Sequence, residues 1–551
     1  MSISPLQDAR AAYQPKLPAV FANRDGAFST SQGEPTQSVA DQVKIKAKFA
    51  HTYGLPELTF VPGEKGDSDV LKAGVILSGG QAPGGHNVIA GLYDGLKDLN
   101  PVSELYGFRG GPSGLLDNDH VLFTDGMIDA YRNTGGFDII GSGRTKLESE
   151  EQFAQVAANC GELGINAVVV IGGDDSNTNA CLLAEYFCRE AIDIQVIGCP
   201  KTIDGDLKND HIATSFGFDT ATKVYSELIG NIQRDANSAK KYWHFVKLMG
   251  RSASHIGLEC ALKTHPNVAI ISEEIAAKAS TLQDVVTYLA DIVCQRAAIG
   301  KNFGVALIPE GLIEFIPAIK ALIAELNDLL ADNAVYFETL DTDDDRLQFV
   351  NSHLSAATSQ AFSSLPMTIQ LQLMADRDPH GNVQVSKIET EKLLVEMVES
   401  RLQEWKAKGK YTGKFAAQTH FFGYEGRCAA PSNFDADYCY GLGYTAAALI
   451  SSGVTGYMSC LQGLTKPAAE WRAGGVPLTM MMNVERRKGH DHPVIKKALV
   501  ETDSPAFKEF AANRDKWAMD DDYQYPGPIQ YFGPSEVCDL TTVTLAIEAN
   551  Q

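Results

Sequence analysis

The chain has 551 residues, of which 44% are hydrophobic and 21% are charged, proportions usual for a soluble globular protein. This length exceeds what one compact core can bury, so two to four domains or subdomains are expected. The formal net charge of -22 argues against a general nucleic-acid binder and against a binder of anionic membranes. Any site for an anionic substrate must therefore be locally basic.

Ten cysteines are scattered along the chain without a CxxC pair, which predicts reduced thiols in a reducing compartment. The first residues, "MSISPLQDARAAYQ", lack the apolar core of a signal peptide. No window approaches eighteen uninterrupted apolar residues. We therefore expect a cytoplasmic, soluble protein without a membrane span.

Residues 1–70 are polar and punctuated by Pro and Gly, and we interpret them as an extension that wraps the body. From residue 71, short apolar runs alternate with helix-like stretches, which predicts parallel strands in an α/β sheet. The runs are "AGVILSGG" (73–80), "FDIIGSGR" (137–144), "INAVVVIGGDDS" (165–176), "IQVIGCPKTIDGD" (194–206), "VAIISEE" (268–274) and "FGVALIPEG" (303–311). Polar loops at the carboxyl ends of such strands form the ligand crevice.

Two later segments do not follow this alternation of apolar runs and helix-like stretches. Helical periodicity over 316–333 and 386–409 predicts a mainly helical insertion at 315–410. The tail "YQYPGPIQYFGP" (523–534) is too rich in Pro and Gly for regular structure.

The Gly-rich loop "LSGGQAPGGHN" (77–87) directly follows a predicted strand. Glycines let backbone N–H groups approach an anion closely, and the following helix N-terminus favours negative charge. The loop matches neither the Walker A pattern nor GxGxxG, so it predicts either a phosphate cradle or only a tight turn. "GSGR" places Arg144 where a guanidinium could clamp phosphoryl oxygens, the alternative being a surface ion pair.

The loop "GGDDSNTN" supplies Asp174, whose hard oxygens suit a Mg²⁺ that also bridges phosphates. The alternative is N-capping of the next helix by an Asp or Ser, which we expect to occur here and which does not compete with metal binding. "CPKTIDGDLKND" (199–210) carries Lys201, Thr202, Asp204 and Asp206 within six residues of a strand end. Asp204 could accept a hydroxyl proton with Asp206 beside it, and Lys201 could hold phosphate, the alternative being a solvated charged turn.

Three further loops carry acids or bases: "MGR" with Arg251, "PEG" with Glu310 and "GYEGR" with Tyr424 and Arg427. Each alone is a weak signal. Six such loops together favour a phosphate-handling enzyme.

With these loops in order, the chain resembles the phosphofructokinase superfamily, and most closely its long pyrophosphate-dependent form. The matching segments are "GGQAPGGHN", "GSGR", "GGDDSNTNA", "PKTIDGDL", "MGRSASHI", "PEG", "GYEGR" and "YPGPIQYFGP", which span residues 71 to about 534.

The resemblance implies two Rossmann-like parallel-sheet domains of the phosphofructokinase fold, with an N-terminal extension and a mainly helical insertion. The implied divisions are an extension at 1–70, a pyrophosphate- and metal-binding α/β domain at 71–240, a sugar-phosphate-binding α/β domain at 241–314 and 411–480, the insertion at 315–410, and a C-terminal segment at 481–551 that packs back on the core.

The resemblance also implies reversible, Mg²⁺-dependent phosphoryl transfer from pyrophosphate to the 1-hydroxyl of fructose 6-phosphate, a step of glycolysis and gluconeogenesis. It gives Asp204 the role of general base, with Asp206, Thr202 and Arg144 in the catalytic group, and Asp174 that of metal ligand. The implied donor residues are Gly79, Gly80, Asp175 and Lys201. The implied substrate contacts are Thr202, Ile203, Asp204, Lys241, Tyr242, Met249, Gly250, Arg251, Glu310, Tyr424, Glu425, Gly426 and Arg427. In this family the "KKY" region reaches a neighbouring subunit's site, which implies a homodimer or homotetramer.

The chain departs from the ATP-dependent pattern at informative positions. It has "GGDDS" for "GGDGS", "TIDGD" for "TIDND", and Lys201 for a Gly. A carboxylate at Asp175 would fill the space beside the metal-binding acid and repel a nucleotide's α-phosphate, whereas Lys201 would compensate the charge of a short donor. The alternatives are an ATP-dependent 6-phosphofructokinase and, from another class, a non-catalytic regulatory subunit, which would be expected to lose these motifs.

Overall fold

The structure is a computed structural model that describes residues 5–64, 69–375, 383, 387–487, 490–529 and 539–549. The chain forms two compact units. The first comprises Met1–Val224, Tyr424–Ala498 and Ile529–Asn550, and the second comprises Tyr225–Gly423, Leu499–Pro528 and Gln551. The predicted α/β class is confirmed in both, while the predicted division into five parts stays a prediction.

The first unit contains a nine-stranded sheet. Its strands are β1 (Phe28–Pro35), β2 (Pro56–Pro62), β3 (Lys72–Leu77), β4 (Glu104–Phe108), β5 (His120–Leu122), β6 (Ala167–Gly172), β7 (Gln195–Pro200), β12 (Tyr457–Gln462) and β13 (Arg472–Pro477). Their order is β1-β2-β13-β12-β7-β6-β3-β4-β5. From β12 to β4 the pairs are parallel, and the outer pairs are antiparallel. Because β7, β6 and β3 are parallel neighbours, the loops that follow them lie side by side.

Helices cover this sheet, and β6 is buried along its whole length, which explains its continuous apolar run. The helices are α1 (Pro5–Ala11), α2 (Gln42–Lys48), α3 (Gly85–Leu99), α4 (Pro112–Asp117), α5 (Asp125–Asp129), α6 (Glu150–Leu163), α7 (Asp174–Arg189), α19 (Tyr424–Arg427), α20 (Asn433–Ser451) and α22 (Val543–Ala549). A hairpin of β14 (Met482–Arg487) and β15 (His490–Ile495) follows the sheet. Helix α8 (Phe218–Ala239) runs across the chain division at Val224.

The second unit contains a four-stranded parallel sheet in the order β11-β8-β10-β9. Its strands are β8 (Trp243–Leu248), β9 (Val268–Ala269), β10 (Gly304–Pro309) and β11 (Ala417–Phe422). Its helices are α9 (His255–Thr264), α10 (Ser272–Ala277), α11 (Leu282–Ala298), α12 (Leu312–Phe315), α13 (Pro317–Asp332), α14 (Ala334–Glu338), α15 (Asp343–His353), α16 (Ala356–Ser363), α17 (Met367–Met374), α18 (Thr390–Ala407) and α21 (Pro505–Met519). Helices α13 to α18 lie within the mainly helical insertion predicted at 315–410. Residues 376–382 and 384–386 of that segment lie outside the described residues.

The strand predicted at 137–144 is wrong. These residues form turns, and only Gly143 makes a single bridge, to Ser78. Phe137 and Ile140 are buried, so the apolar character of the run anchors a loop in the core instead of building a strand. The strand predicted within 268–274 ends already at Ala269, because α10 begins at Ser272.

The extension predicted at 1–70 contributes β1 and β2 to an edge of the large sheet. Most side chains of β1 are exposed, so this edge strand lacks the apolar signal that would predict it. The extension is anchored on α7, where the Glu185 carboxylate accepts hydrogen bonds from the backbone N–H groups of His51 and Thr52, both at 2.9 Å. Residues 523–529 have no regular structure, and the rest of the predicted tail, 530–534, lies outside the described residues.

Over the described residues, the helices are too short or too polar for any of them to cross a membrane.

A buried carboxyl group joins α20 to the start of α8. Asp435 is fully buried and accepts hydrogen bonds from the backbone N–H groups of Gly217, at 3.1 Å, and Thr220, at 2.8 Å. Burial and the charge of nearby Asp219 raise the pKa of Asp435 to about 7, above the value of about 3.9 for an unfolded chain. Burial therefore outweighs the hydrogen bonds that favour the ionised form.

This shift predicts a pH-dependent contribution to stability. A raised carboxyl pKa in the folded state stabilises the fold below about pH 4, and that contribution is lost as the pH rises through about 7. We expect the thermal midpoint of the parent protein, relative to that of Asp435→Asn, to fall as the pH rises from about 4 to about 7. In the control, Asp193→Asn at an exposed position, the difference in thermal midpoint from the parent should not change with pH. A flat difference for Asp435→Asn would contradict the prediction.

Candidate active site

The loop after β3 carries the two glycines expected to cradle phosphate, and positive side chains surround it. The Lys201 Nζ lies 3.4 Å from the position that a Cβ on Gly79 would take. An added Cβ on Gly80 would lie 3.6 Å from an Arg144 Nη2 and 3.8 Å from an Arg427 Nη1. Although the whole chain is strongly acidic, this turn is locally basic, as a site for an anionic ligand requires.

Arg144 reaches this turn from a loop, not from the strand end that the sequence predicted. The backbone N–H of Gly79 donates to the Gly143 carbonyl at 2.8 Å, and this hydrogen bond fixes the "GSGR" loop against the end of β3. Arg144 itself is exposed. The backbone next to Arg144 is therefore fixed against β3, and the side chain extends from it to the Gly80 turn.

Asp174 and Asp175 lie in the first turn of α7, whose N-cap is Gly173. No side chain caps this helix, so the alternative that an Asp or Ser caps it is wrong. Asn177 instead holds the turn, because its side-chain amide donates to the carbonyls of Gly172, at 2.6 Å, and Gly173, at 2.9 Å. Two carboxylates in a first helical turn are stabilised by the helix dipole, which lowers the cost of placing like charges side by side.

Asp174 has the properties of a metal ligand. Its Oδ2 is buried and accepts no hydrogen bond from the described part of the chain. Among the described residues, no group of three or more His, Cys, Asp or Glu side chains could hold a metal by itself. Mg²⁺ commonly binds one or two carboxylates and completes its shell with waters and substrate phosphates, so a single carboxylate of this kind fits it.

The "KTIDGD" loop after β7 brings Lys201, Thr202, Asp204 and Asp206 to the same edge of the sheet. The backbone N–H of Asp204 donates to the Thr202 hydroxyl at 3.0 Å, which closes a tight turn. Gly205 has a φ of 72°, in the left-handed region that Gly and Asn adopt most readily. Both the Gly of "TIDGD" here and the Asn of the ATP-dependent "TIDND" can adopt this conformation, so the backbone permits either residue.

Two groups of this loop are buried and titrate near neutrality. Burial lowers the pKa of Lys201 to about 8, although Asp204 and Asp174 favour its charged form. Its ammonium group donates to the Gly80 carbonyl at 2.7 Å. Burial, together with the charges of Asp204 and Asp174, raises the pKa of Asp206 to about 7. A buried cation, Lys201, and a buried acid with a raised pKa, Asp206, thus flank Asp204 in the sequence. Ile203, the remaining predicted contact of this loop, is buried.

One charged side chain beside these acids was missed by the sequence analysis. The Lys497 Nζ lies 3.4 Å from the Asp174 Oδ2 and 4.0 Å from the Asp206 Oδ2. Lys497 follows β15 in the segment predicted only to pack back on the core, and no motif marks it. Only the three-dimensional structure shows that Lys497 lies beside these acids.

Predicted sugar-phosphate residues cluster in the second unit, where β8 and β10 end. The backbone N–H of Gly250 donates to the Glu310 carboxylate at 3.0 Å, and Glu310 is buried. A Cβ on Gly311 would lie 2.0 Å from the Arg251 carbonyl oxygen, so only glycine permits this approach of the two loops. Arg251 lies 3.6 Å from Glu314, and Met249 is buried beside this turn.

Lys241 and Tyr242 precede β8, so the six-residue strand separates them from Met249 by roughly 20 Å. The second unit therefore does not bring them together with Met249, Gly250 and Arg251. Lys241 is exposed and Tyr242 is partly exposed.

Tyr424, Glu425, Gly426 and Arg427 form the single turn of α19 in the first unit. The Arg427 guanidinium lies over the Tyr424 ring, 4.9 Å from its centroid. The Nε of Arg427 is buried and donates no hydrogen bond within the described residues. The resemblance assigned Arg427 to the sugar phosphate, whereas the first unit places it beside Gly80 and the donor turn.

The comparisons with known proteins agree with this geometry. The Phosphofructokinase family matches residues 72–347. A pyrophosphate–fructose 6-phosphate 1-phosphotransferase of Porphyromonas gingivalis is 58% identical over 551 residues, covering all of both chains. The beta subunit of the same enzyme from Ricinus communis is 52% identical and covers 99% of this chain and 97% of its own.

A crystal structure of a pyrophosphate-dependent phosphofructokinase from Marinobacter aquaeolei matches with a TM-score of 0.54 at 16% identity, over 82% of this chain and 93% of that one. This likeness supports the fold. The full-length identities and the family match together show that the chain belongs to the phosphofructokinase family, in its pyrophosphate-dependent branch, and is a phosphotransferase enzyme.

Proposed function

We propose that the protein transfers a phosphoryl group from pyrophosphate to the 1-hydroxyl of fructose 6-phosphate. The reaction requires Mg²⁺, is reversible, and yields fructose 1,6-bisphosphate and phosphate. It would serve glycolysis and gluconeogenesis in the cytoplasm. Relatives that carry this activity in their names and match the whole chain support the choice of substrates.

The observation that carries the donor assignment is the buried ammonium group of Lys201. It binds the Gly80 carbonyl at 2.7 Å, lies against Gly79, and is joined at this turn by Arg144 and Arg427. With a pKa of about 8, Lys201 is protonated at neutral pH. Together with the two guanidinium groups it supplies the positive charge that a short, highly charged donor needs.

Lys201 attracts an anionic donor, whereas the carboxylate of Asp175 repels one. Asp175 lies next to Asp174 in the first turn of α7, is exposed, and acts electrostatically on the same Lys497 as Asp174 does. A nucleotide would bring an α-phosphate into the region of these carboxylates, and like charges brought together repel each other. Pyrophosphate has no third phosphoryl group and avoids this repulsion. Attraction by Lys201 and repulsion by Asp175 together select the donor.

In the mechanism that we propose, Asp204 takes the proton of the sugar 1-hydroxyl as its oxygen attacks the nearer phosphorus of pyrophosphate. The bridging P–O bond of pyrophosphate breaks, and the other phosphoryl group leaves as phosphate. Asp206 lies in the same turn, and its interaction with Asp204 helps to orient the Asp204 carboxylate. Lys201, Arg144 and Arg427 orient the donor and offset the charge that develops on its oxygens. Asp174 would hold Mg²⁺, which when bound supplies further charge neutralisation on the phosphoryl oxygens.

The acceptor would be held by the second unit's residues Met249, Gly250, Arg251 and Glu310. Lys241 and Tyr242, at the other end of β8, would serve the site of a neighbouring copy, as the family resemblance implies. This arrangement requires a homo-oligomer, either a dimer or a tetramer.

The donor assignment predicts a change of donor on removing both selecting groups. We expect the parent protein to turn over fructose 6-phosphate with pyrophosphate and Mg²⁺, and not with ATP. The Asp175→Gly, Lys201→Gly double variant should weaken pyrophosphate use and permit some ATP use, since it removes both the repulsion and the compensating charge. Initial rates with each donor measure this effect as kcat/KM.

A matched control replaces the exposed residues Asp193 and Lys496 of the same unit by Gly, and its donor preference should equal that of the parent. ATP turnover by the parent at a rate comparable to that with pyrophosphate would identify an ATP-dependent 6-phosphofructokinase instead. Absence of turnover with either donor would favour a regulatory subunit. ATP activity that stays undetectable in the double variant would show that these two positions are not a sufficient filter.

The general-base assignment predicts a large loss of turnover without a matching loss of binding. Asp204→Ser or Asp204→Ala should reduce kcat by about 10²- to 10⁴-fold and leave the KM for fructose 6-phosphate within a few-fold. Asp210→Ser, at an exposed position four residues away from the turn's Asp206, is the control and should retain activity. Retained turnover in the Asp204 variants would remove this residue from the base role.

A further inference from the structure

Lys497 is held between two acid-bearing loops by the backbone on either side of it. The N–H of Ile495, at the end of β15, donates to the Thr178 Oγ1 on α7 at 3.1 Å. The N–H of Ala498 donates to the carbonyl of Asp206 at 2.7 Å. The segment is therefore fastened on one side to the helix that begins with Asp174 and on the other to the "TIDGD" turn. The backbone on either side thus places Lys497 beside the loops that carry Asp174 and Asp206.

The surroundings of the Lys497 side chain favour a positive charge. The Lys497 ammonium lies within 4.0 Å of carboxylate oxygens of both Asp174 and Asp206. The Lys497 ammonium therefore balances part of the negative charge of these acids.

The geometry at Asp174 indicates what this charge does. The Asp174 Oδ2 accepts no hydrogen bond from the described residues. The Lys497 Nζ lies 3.4 Å away, which is close enough for electrostatic attraction but leaves this oxygen able to bind another ligand. A divalent ion on this oxygen would stand within a few ångströms of the ammonium group and be repelled by it. At such distances, and at the effective dielectric of a partly buried site, a unit charge changes ion affinity by about tenfold or more. Pyrophosphate, which carries several negative charges, would relieve that repulsion.

We propose that Lys497 is a positioning residue of the donor site, the resident counter-ion that holds Asp174 and Asp206 in place and keeps free metal from binding before pyrophosphate. This inference rests on the proposed function, in which Asp174 is the metal ligand. It predicts that the enzyme without pyrophosphate binds divalent ions weakly. It also predicts that metal and pyrophosphate enhance each other's binding, since each offsets the charge that opposes the other.

The test measures the affinity for Mn²⁺ alone, in the absence of both substrates, from the relaxation of water protons in a titration of the full-length protein. Lys497→Met should bind Mn²⁺ at least about tenfold more tightly than the parent, because the repelling charge is gone. Lys497→Arg, which keeps the charge, should bind like the parent. The adjacent, exposed Lys496→Met is the matched control and should also bind like the parent. A merely structural role for Lys497 would not raise metal affinity.

Three outcomes would overturn the inference. Equal or weaker Mn²⁺ binding by Lys497→Met is the first, and Lys497→Gln provides the same reading if the Met variant does not fold. Tighter binding by Lys496→Met as well is the second, because it would indicate an unspecific effect of net charge. Undiminished Mn²⁺ binding by Asp174→Asn is the third, because it would remove the ion from this site. Pyrophosphate-dependent turnover of the parent is measured separately, so failure of the inference is distinguishable from failure of the proposed function.

Discussion

The arrangement of the first unit depends on burying the ammonium group of Lys201 beside carboxylates. A buried charge is costly unless it is paired and hydrogen-bonded, and Lys201 has the Gly80 carbonyl at 2.7 Å and the charges of Asp204 and Asp174 nearby. This pairing is possible only because β3, β6 and β7 are adjacent and parallel, so that their three loops meet. The same constraint makes the turn at Gly79 basic in a chain that is acidic overall.

Helix α7 connects this electrostatic arrangement to the rest of the unit. Its first turn carries Asp174 and Asp175, its Thr178 accepts a hydrogen bond from the end of β15, and its Glu185 accepts hydrogen bonds from the N-terminal extension. Parts of the chain that contribute no recognised motif therefore fix the helix that presents the acids. We infer that the extension and the hairpin support the position of the acid cluster.

The sequence predicted the strands β3, β6, β7 and β10 because each is an apolar run that ends in a Gly-rich or acidic loop. It failed at 137–144, where buried Phe137 and Ile140 anchor a loop, and at β1, where a mostly exposed edge strand has no apolar pattern. The residues within motifs could be assigned candidate roles from residue type and order, and the first unit brings Lys201, Arg144 and Arg427 to the turn at Gly79 and Gly80. Lys497 was not, because its proximity to Asp174 arises from long-range packing of a segment without a motif. The capping interpretation of "GGDDS" failed because Gly173 already occupies the N-cap.

The central claim is that the loops of the first unit form a site that accepts two phosphoryl groups and excludes three. Calorimetric titration with methylenediphosphonate, whose P–C–P bridge prevents transfer, tests this claim directly when it is paired with the methylene analogue of ATP. In the presence of Mg²⁺, we predict saturable binding of methylenediphosphonate and no measurable heat with the nucleotide analogue at the same concentrations. Binding of the nucleotide analogue as tight as that of methylenediphosphonate would contradict the account.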